Sequence, residues 1–96
     1  MLTLPIKKKW FDMIRSGEKK EEYREIKPYY TNRFFHNDQL VNGEAIREVA
    51  FRNGYAKDSP IIKCKVRLST GPGKTEWGAV AGEIYYRLHI LEVSDE

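Results

Sequence analysis

Polar and apolar residues alternate most strictly between residues 61 and 68. Ile62, Cys64, Val66 and Leu68 fall on one parity, and Lys63, Lys65 and Arg67 on the other. A period of two puts the first set on a packed sheet face and the second in solvent. Two more segments share this rhythm. Val49, Phe51 and Asn53 alternate with Glu48, Ala50 and Arg52, and Ile84, Tyr86, Leu88 and Ile90 alternate with Tyr85, Arg87 and His89. Leu91 and Val93 then carry the apolar signal onto the opposite parity, which predicts a bulge or a strand buried on both faces. Asn53-Gly54 and Thr70-Gly71-Pro72-Gly73 punctuate these strands as turn and loop.

The first third of the chain reads differently. Leu2 to Leu4 fits a short strand, and Pro5 suits the first turn of a helix. Ile6, Trp10, Met13, Ile14 and Gly17 follow the helical period, so a helix is expected over about 6–16, with Gly17 as its left-handed stop. Residues 19–26 read as a strand with Glu22, Arg24 and Ile26 on one face and Glu21, Tyr23 and Glu25 on the other. Pro28 opens a second helix over about 28–36 with Tyr29, Tyr30, Phe34 and Phe35 as its aromatic side. Turn-like residues follow, His36 to Gln39 and Asn42 to Glu44, and this stretch is expected to be a mobile loop.

The order is β-α-β-α followed by three or four strands, without a βαβ rhythm. It predicts an α+β fold: a small, mostly antiparallel sheet curled into a barrel, its ends covered by two helices. With 96 residues, one domain spanning 1–96 is expected.

Composition narrows the function classes. At 41% apolar and 32% charged residues the chain is neither membrane-like nor disordered, and no apolar run approaches the ~18 residues of a membrane span. The N-terminus lacks a signal-peptide core, so a cytoplasmic protein is expected, with a monomer favoured. The net charge of +3 permits nucleic acid or nucleotides without demanding them. The single Cys64 excludes an intrachain disulfide, and with His36 and His89 apart, neither metal nor cofactor is expected.

Several motifs fail on inspection. Gly71-Pro72-Gly73-Lys74-Thr75 lacks the upstream glycine of a phosphate-binding loop, since Leu68 stands there, and no helix is expected to start at Glu76. No nucleophile elbow or Ser-His-Asp spacing is visible, and His89 reads as an ordinary strand residue. Lys63, Lys65 and Arg67, joined by Arg87 and His89 if their strands are neighbours, form either a basic patch for a phosphate backbone or a solvated sheet face.

The densest chemistry lies in Gly17-Glu18-Lys19-Lys20-Glu21-Glu22-Tyr23-Arg24. Glu22 and Arg24 share a strand face and can pair. Lys19 joins them only if it sits in the turn after Gly17, before the alternation begins. Such a trio fits either a salt-bridged surface or the floor of a pocket for a polar base or phosphate, where a desolvated lysine could also act as base or nucleophile.

The pattern Gly17-x-Lys19-x-x-Glu22-x-Arg24 after an apolar helix resembles the G-x-K-x-x-E-x-R signature of ASCH domains, a branch of the PUA-like superfamily. Ile26-Lys27-Pro28-Tyr29-Tyr30, Phe51-Arg52-Asn53-Gly54-Tyr55 and Glu76-Trp77-Gly78-Ala79 extend the likeness to the small single-domain members of bacteria and phages. The resemblance implies a PUA-like barrel of about five or six strands and a cleft beside the first helix, lined by Lys19, Glu22 and Arg24. It implies RNA or a nucleotide or nucleoside as ligand, with Asn53, Tyr55, Glu76 and Trp77 as further ligand contacts. Lys63, Lys65, Arg67 and Arg87 are the expected backbone-tracking surface. Some members are ribonucleases, and one small group deacetylates N4-acetylcytidine nucleosides with a Thr nucleophile three residues after the Lys. Glu22 stands at that position here, which favours binding and leaves a small hydrolase, with Lys19, Glu22 and Arg24 as its catalytic residues, as the alternative.

Overall fold

The structure is a computed structural model that describes residues 2–35 and 45–94. The expected mobile loop at 36–44 therefore lies outside the described residues. Strands β1 (Leu2–Ile6), β2 (Glu21–Glu25), β3 (Ala45–Asn53), β4 (Ile61–Pro72) and β5 (Ile84–Ser94) form one sheet in the order β1-β3-β4-β5-β2. Helices α1 (Lys8–Ser16) and α2 (Pro28–Phe35) follow β1 and β2. All pairings are antiparallel except β1 with β3. The fold is α+β, as the element order predicts.

The sheet is a curled half-barrel, not the closed barrel expected. Its edges, β1 and β2, are bridged by a side chain: Arg24 Nη2 donates to the Pro5 carbonyl at 3.1 Å. Pro5 suits this edge position. The N–H and C=O of a strand residue point to the same side, so the side of Pro5 that faces β2 has an acceptor and no donor. A backbone ladder cannot form at that position, and a guanidinium takes the carbonyl instead. Pro5 thus belongs to an edge strand and not to a helix. Helix α1 starts at Lys8, two residues later than the period predicts, with Lys7 extended at φ −72° and ψ 151°.

The concave face carries the core, in the parity read from the sequence. Val49 faces Cys64, Phe51 faces Ile62, and Leu68 faces Leu88 across the ladders. Phe11 and Ile14 of α1 and Phe34 of α2 are buried against them, and Phe34 meets Tyr86 edge-on at 5.2 Å. Residue 91 is the predicted bulge: Lys65 pairs with Glu92 and Val66 with Ile90, so Leu91 is the extra residue. Ile84 departs from its parity and is exposed, while Ala50 on the convex face is buried.

A smaller cluster of Tyr23, Trp77 and Ala79 sits on the other side of β2. The segment after β4 crosses it through a short 3-10 turn, Thr75–Trp77, too short to give a helix dipole. Gly73 makes this crossing possible. A Cβ there would lie 2.7 Å from both Ala79 Cβ and Tyr23 Cζ. Gly73→Ala is expected to cost about 1–3 kcal/mol by overpacking, read as a lower urea midpoint at unchanged m-value.

Candidate functional site

The site is built where the two sheet edges approach. Gly17, at φ 89°, ends α1 in the left-handed region, and its N–H closes on the Ile14 carbonyl at 3.1 Å. The chain bends back so that the Lys19 N–H reaches the Met13 carbonyl at 2.9 Å, two residues before β2 begins. This is the turn that Lys19 needed to join the strand pair. Its side chain is 2% exposed, and Nζ donates to the Trp77 carbonyl at 2.7 Å. Nζ also lies 2.8 Å from Glu22 Oε1 and 4.0 Å from the centre of the Trp10 ring.

Glu22 and Arg24 share the concave face, as their parity requires. Glu22 is buried, and its Oε2 takes Arg24 Nη1. The same nitrogen donates to the Tyr23 carbonyl at 2.8 Å. One carboxylate therefore stands between two cations in a nearly dry setting. Burial lowers the Lys19 pKa below 10.5, and the adjacent Glu22 carboxylate works in the opposite sense.

Above this trio opens a cavity of about 500 Å³. Trp10, Tyr30 and Trp77 line it as aromatic surface, and Asn53, Gly54 and Tyr55 form part of its rim. The Gly54 turn is held there by its N–H, which donates to the Ile6 carbonyl at 3.0 Å. Among the described residues, Lys7, Lys8, Lys19 and Arg24 line the cavity with Glu22 as the one carboxylate; Lys8 is paired with Asp12 at 2.6 Å, and the lining is still net cationic. No family model, curated protein or solved structure matches the chain. What the site can do is argued from its geometry.

The cavity gathers six of the sequence-expected residues: Lys19, Glu22, Arg24, Asn53, Tyr55 and Trp77. Tyr55 is a rim residue, 87% exposed, and Trp77 presents its backbone carbonyl to Lys19 while its side chain is buried with Tyr23 and Ala79. Glu76 does not line the cavity. It sits exposed in the 3-10 turn, one residue from Trp77, whose ring turns inward. Trp10 and Tyr30 were not singled out as site residues. Trp10 obeys the helical period of the core, and a tryptophan flanked by Lys7, Lys8 and Lys9 is the signal that it faces a charged cleft.

Lys63, Lys65 and Arg67 project from the convex face of β4, away from the cavity. Carboxylates interrupt the stripe. Glu48 stands opposite Lys65 on β3, and Glu92 Oε1 lies 3.9 Å from Lys65 Nζ on β5. Arg87 is engaged with its neighbours: Nε donates to Ser69 Oγ at 3.2 Å and Nη1 to the Pro72 carbonyl at 3.3 Å.

Three strands also bring together a trio that the sequence hid. Ser69 Oγ lies 2.8 Å from His89 Nε2, and His89 Nδ1 lies 3.0 Å from Glu21 Oε2. The spacing is that of a nucleophile relay, but each end is tied to structure. Glu21 Oε1 accepts from Tyr23 OH at 2.7 Å, and the Tyr23 oxygen accepts from the Lys74 N–H at 2.9 Å. Arg87 occupies the remaining side of Ser69 Oγ. The array clamps the segment after β4 onto β2.

Burial sets the alkaline behaviour of two neighbours. It pushes the Tyr23 phenol from 10.0 to about 12 and the Cys64 thiol from 9.0 to about 11. Both folded-state values are raised, so above about pH 9 the unfolded chain sheds protons that the folded chain keeps. Stability then falls as pH rises from about 9 through 12. Lys19 works the other way, gaining stability with pH between its lowered value and 10.5. Urea midpoints are expected to fall between pH 8.5 and 11.5 (about three pH units) and to fall less in Cys64→Ala. Native Cys64 is expected to resist a thiol reagent near pH 8 and to react on unfolding.

Proposed function

We propose that this chain is an ASCH-like module that binds RNA or a nucleotide in the cavity above Lys19, Glu22 and Arg24. The observation that carries the reading is the cavity itself: a fixed, buried Lys–Glu–Arg floor under aromatic walls. The rings of Trp10 and Tyr30 supply stacking surface for a base. Glu22 can accept from an exocyclic amine, and Arg24 can meet base or phosphate acceptors. Lys7 adds cationic surface, whereas Lys8 is offset by Asp12 at 2.6 Å. The floor is held by protein contacts before any ligand arrives, so little ordering is needed on binding.

The hydrolase reading has one observation in its favour, the lowered pKa of Lys19. A lysine serving as base or nucleophile must present a lone pair to the substrate. Here Nζ is engaged by the Trp77 carbonyl, Glu22 and the Trp10 face. The binding reading needs no rearrangement of these contacts and is preferred.

Both tryptophans of the chain, Trp10 and Trp77, line this cavity, so intrinsic fluorescence reports on it. The test is a titration at low salt with the four ribonucleoside monophosphates and a single-stranded RNA of about ten nucleotides. A saturable fluorescence change that weakens as salt rises is expected. Unchanged fluorescence with every probe would remove the reading. Turnover of N4-acetylcytidine that Lys19→Ala abolishes would replace it with the hydrolase.

A further inference from the structure

Helix α2 carries one cation, Arg33, and aromatic surface that the cavity does not absorb. Tyr30 lines the cavity, and the Arg24 guanidinium carbon lies 5.9 Å from its ring centre. Tyr29 meets Tyr30 edge-on at 4.9 Å and is 52% exposed. Arg33 lies over Tyr29 at 3.6 Å, and its Nη1 donates to the Tyr29 carbonyl at 2.9 Å. Arg24 of β2 and Tyr30, Tyr29 and Arg33 of α2 thus form a continuous series from the cavity floor to the outer surface of the helix.

A helix that used its rings for the core alone would bury them, as α2 does with Phe34. Tyr29 instead shows half its surface to solvent, with a guanidinium fixed against it. Within Pro28–Phe35 there is no carboxylate, whereas the β4 stripe alternates with Glu48 and Glu92. Lys27, at 5.6 Å over Tyr30, is offset by Glu25 at 2.9 Å. The α2 series therefore keeps the charge and the ring surface that a stacked, phosphate-linked chain requires.

We propose that the ligand is a single-stranded nucleic acid whose chain leaves the cavity over α2. A base then stacks at Tyr29, and a phosphate meets Arg33. The convex face of β4 and β5 is not the path. This inference rests on the cavity being a nucleic-acid site, and it names which surface extends that site and what polymer it takes.

The test compares a labelled single-stranded RNA of about ten nucleotides with a ribonucleoside monophosphate. Anisotropy reads the first and tryptophan fluorescence the second. Tyr29→Ala is expected to weaken the oligomer about five- to hundred-fold and to leave the mononucleotide unchanged. Tyr29→Phe should restore oligomer binding, because the ring remains. Arg33→Ala should weaken the oligomer and flatten its salt dependence. Lys63→Ala and Lys65→Ala should bind as wild type. Circular dichroism confirms that each variant folds.

Oligomer binding insensitive to both α2 variants would overturn the path, as would an RNA duplex that binds as tightly as the single strand. If the mononucleotide binds and the oligomer ignores α2, only the path falls. If neither probe binds, the cavity reading falls with it.

Discussion

Glu22→Ala is expected to destabilise the fold by about 3–5 kcal/mol, the cost of leaving buried charge without its partner. Lys19 and Glu22 have side chains 2% and 6% exposed, and that of Arg24 is 12% exposed. Removing the carboxylate leaves two cations facing each other across a small, poorly hydrated space. Neither can turn to solvent without giving up a second contact. Lys19 would lose the Trp77 carbonyl, and Arg24 the Pro5 carbonyl that bridges the sheet edges. A domain of this size has about 5–15 kcal/mol of total stability, so the variant should be marginal. Glu22→Gln keeps the shape and an acceptor oxygen, and should cost less than alanine while still weakening the cation pair. Urea unfolding followed by circular dichroism measures both. A loss below about 1 kcal/mol for Glu22→Ala would mean that water reaches the trio and that the floor is not desolvated.

Trp10→Ala is expected to weaken nucleotide binding about five- to hundred-fold, the range for losing one stacking ring. Trp10 is a partly buried residue of α1 whose ring carries Lys19 Nζ at 4.0 Å and Lys9 Nζ at 4.7 Å. Gly78 packs against it so closely that a Cβ there would lie 3.0 Å from Trp10 Cζ2. The ring is therefore held in place by Lys19, Lys9 and Gly78, and its part of the cavity wall is preformed. Its loss also opens Lys19 to water, which relaxes the desolvation that lowers its pKa. Calorimetric titration reads the affinity, since the variant lacks one of the two fluorophores. Trp10→Phe should retain part of the affinity. Equal affinity in wild type and Trp10→Ala would show that the ligand does not stack on this wall.

Strand β4 was the most legible because it has one buried face, and one buried face imposes a period of two. Closure was not legible. It depends on which strands meet at the seam, and the one residue marking β1 as an edge, Pro5, reads equally well as a helix start. The start of α1 was misplaced for the same reason. Lys19 could be placed only conditionally, because its position turns on one backbone bend at Gly17. The site residues missed, Trp10 and Tyr30, sit on helix faces where an aromatic at core spacing serves packing and a cleft alike. Glu76 was expected beside Trp77, but in a 3-10 turn of three residues adjacent side chains point in different directions, and Glu76 is exposed while Trp77 is buried. The Ser69–His89–Glu21 array depends on register among three strands, which no local pattern encodes.

On the proposed function, nucleotide and RNA enter the cavity above Lys19, Glu22 and Arg24. A nitrogen–proton correlation NMR titration with a ribonucleoside monophosphate, and then a short single-stranded RNA, tests it most directly. Shifts are expected to concentrate at the Trp10 indole and the Gly54 and Gly78 amides, with Tyr29 and Arg33 added only by the RNA. Shifts confined to Lys63, Lys65 and Arg67 on the convex face, or none at saturating ligand, would contradict it.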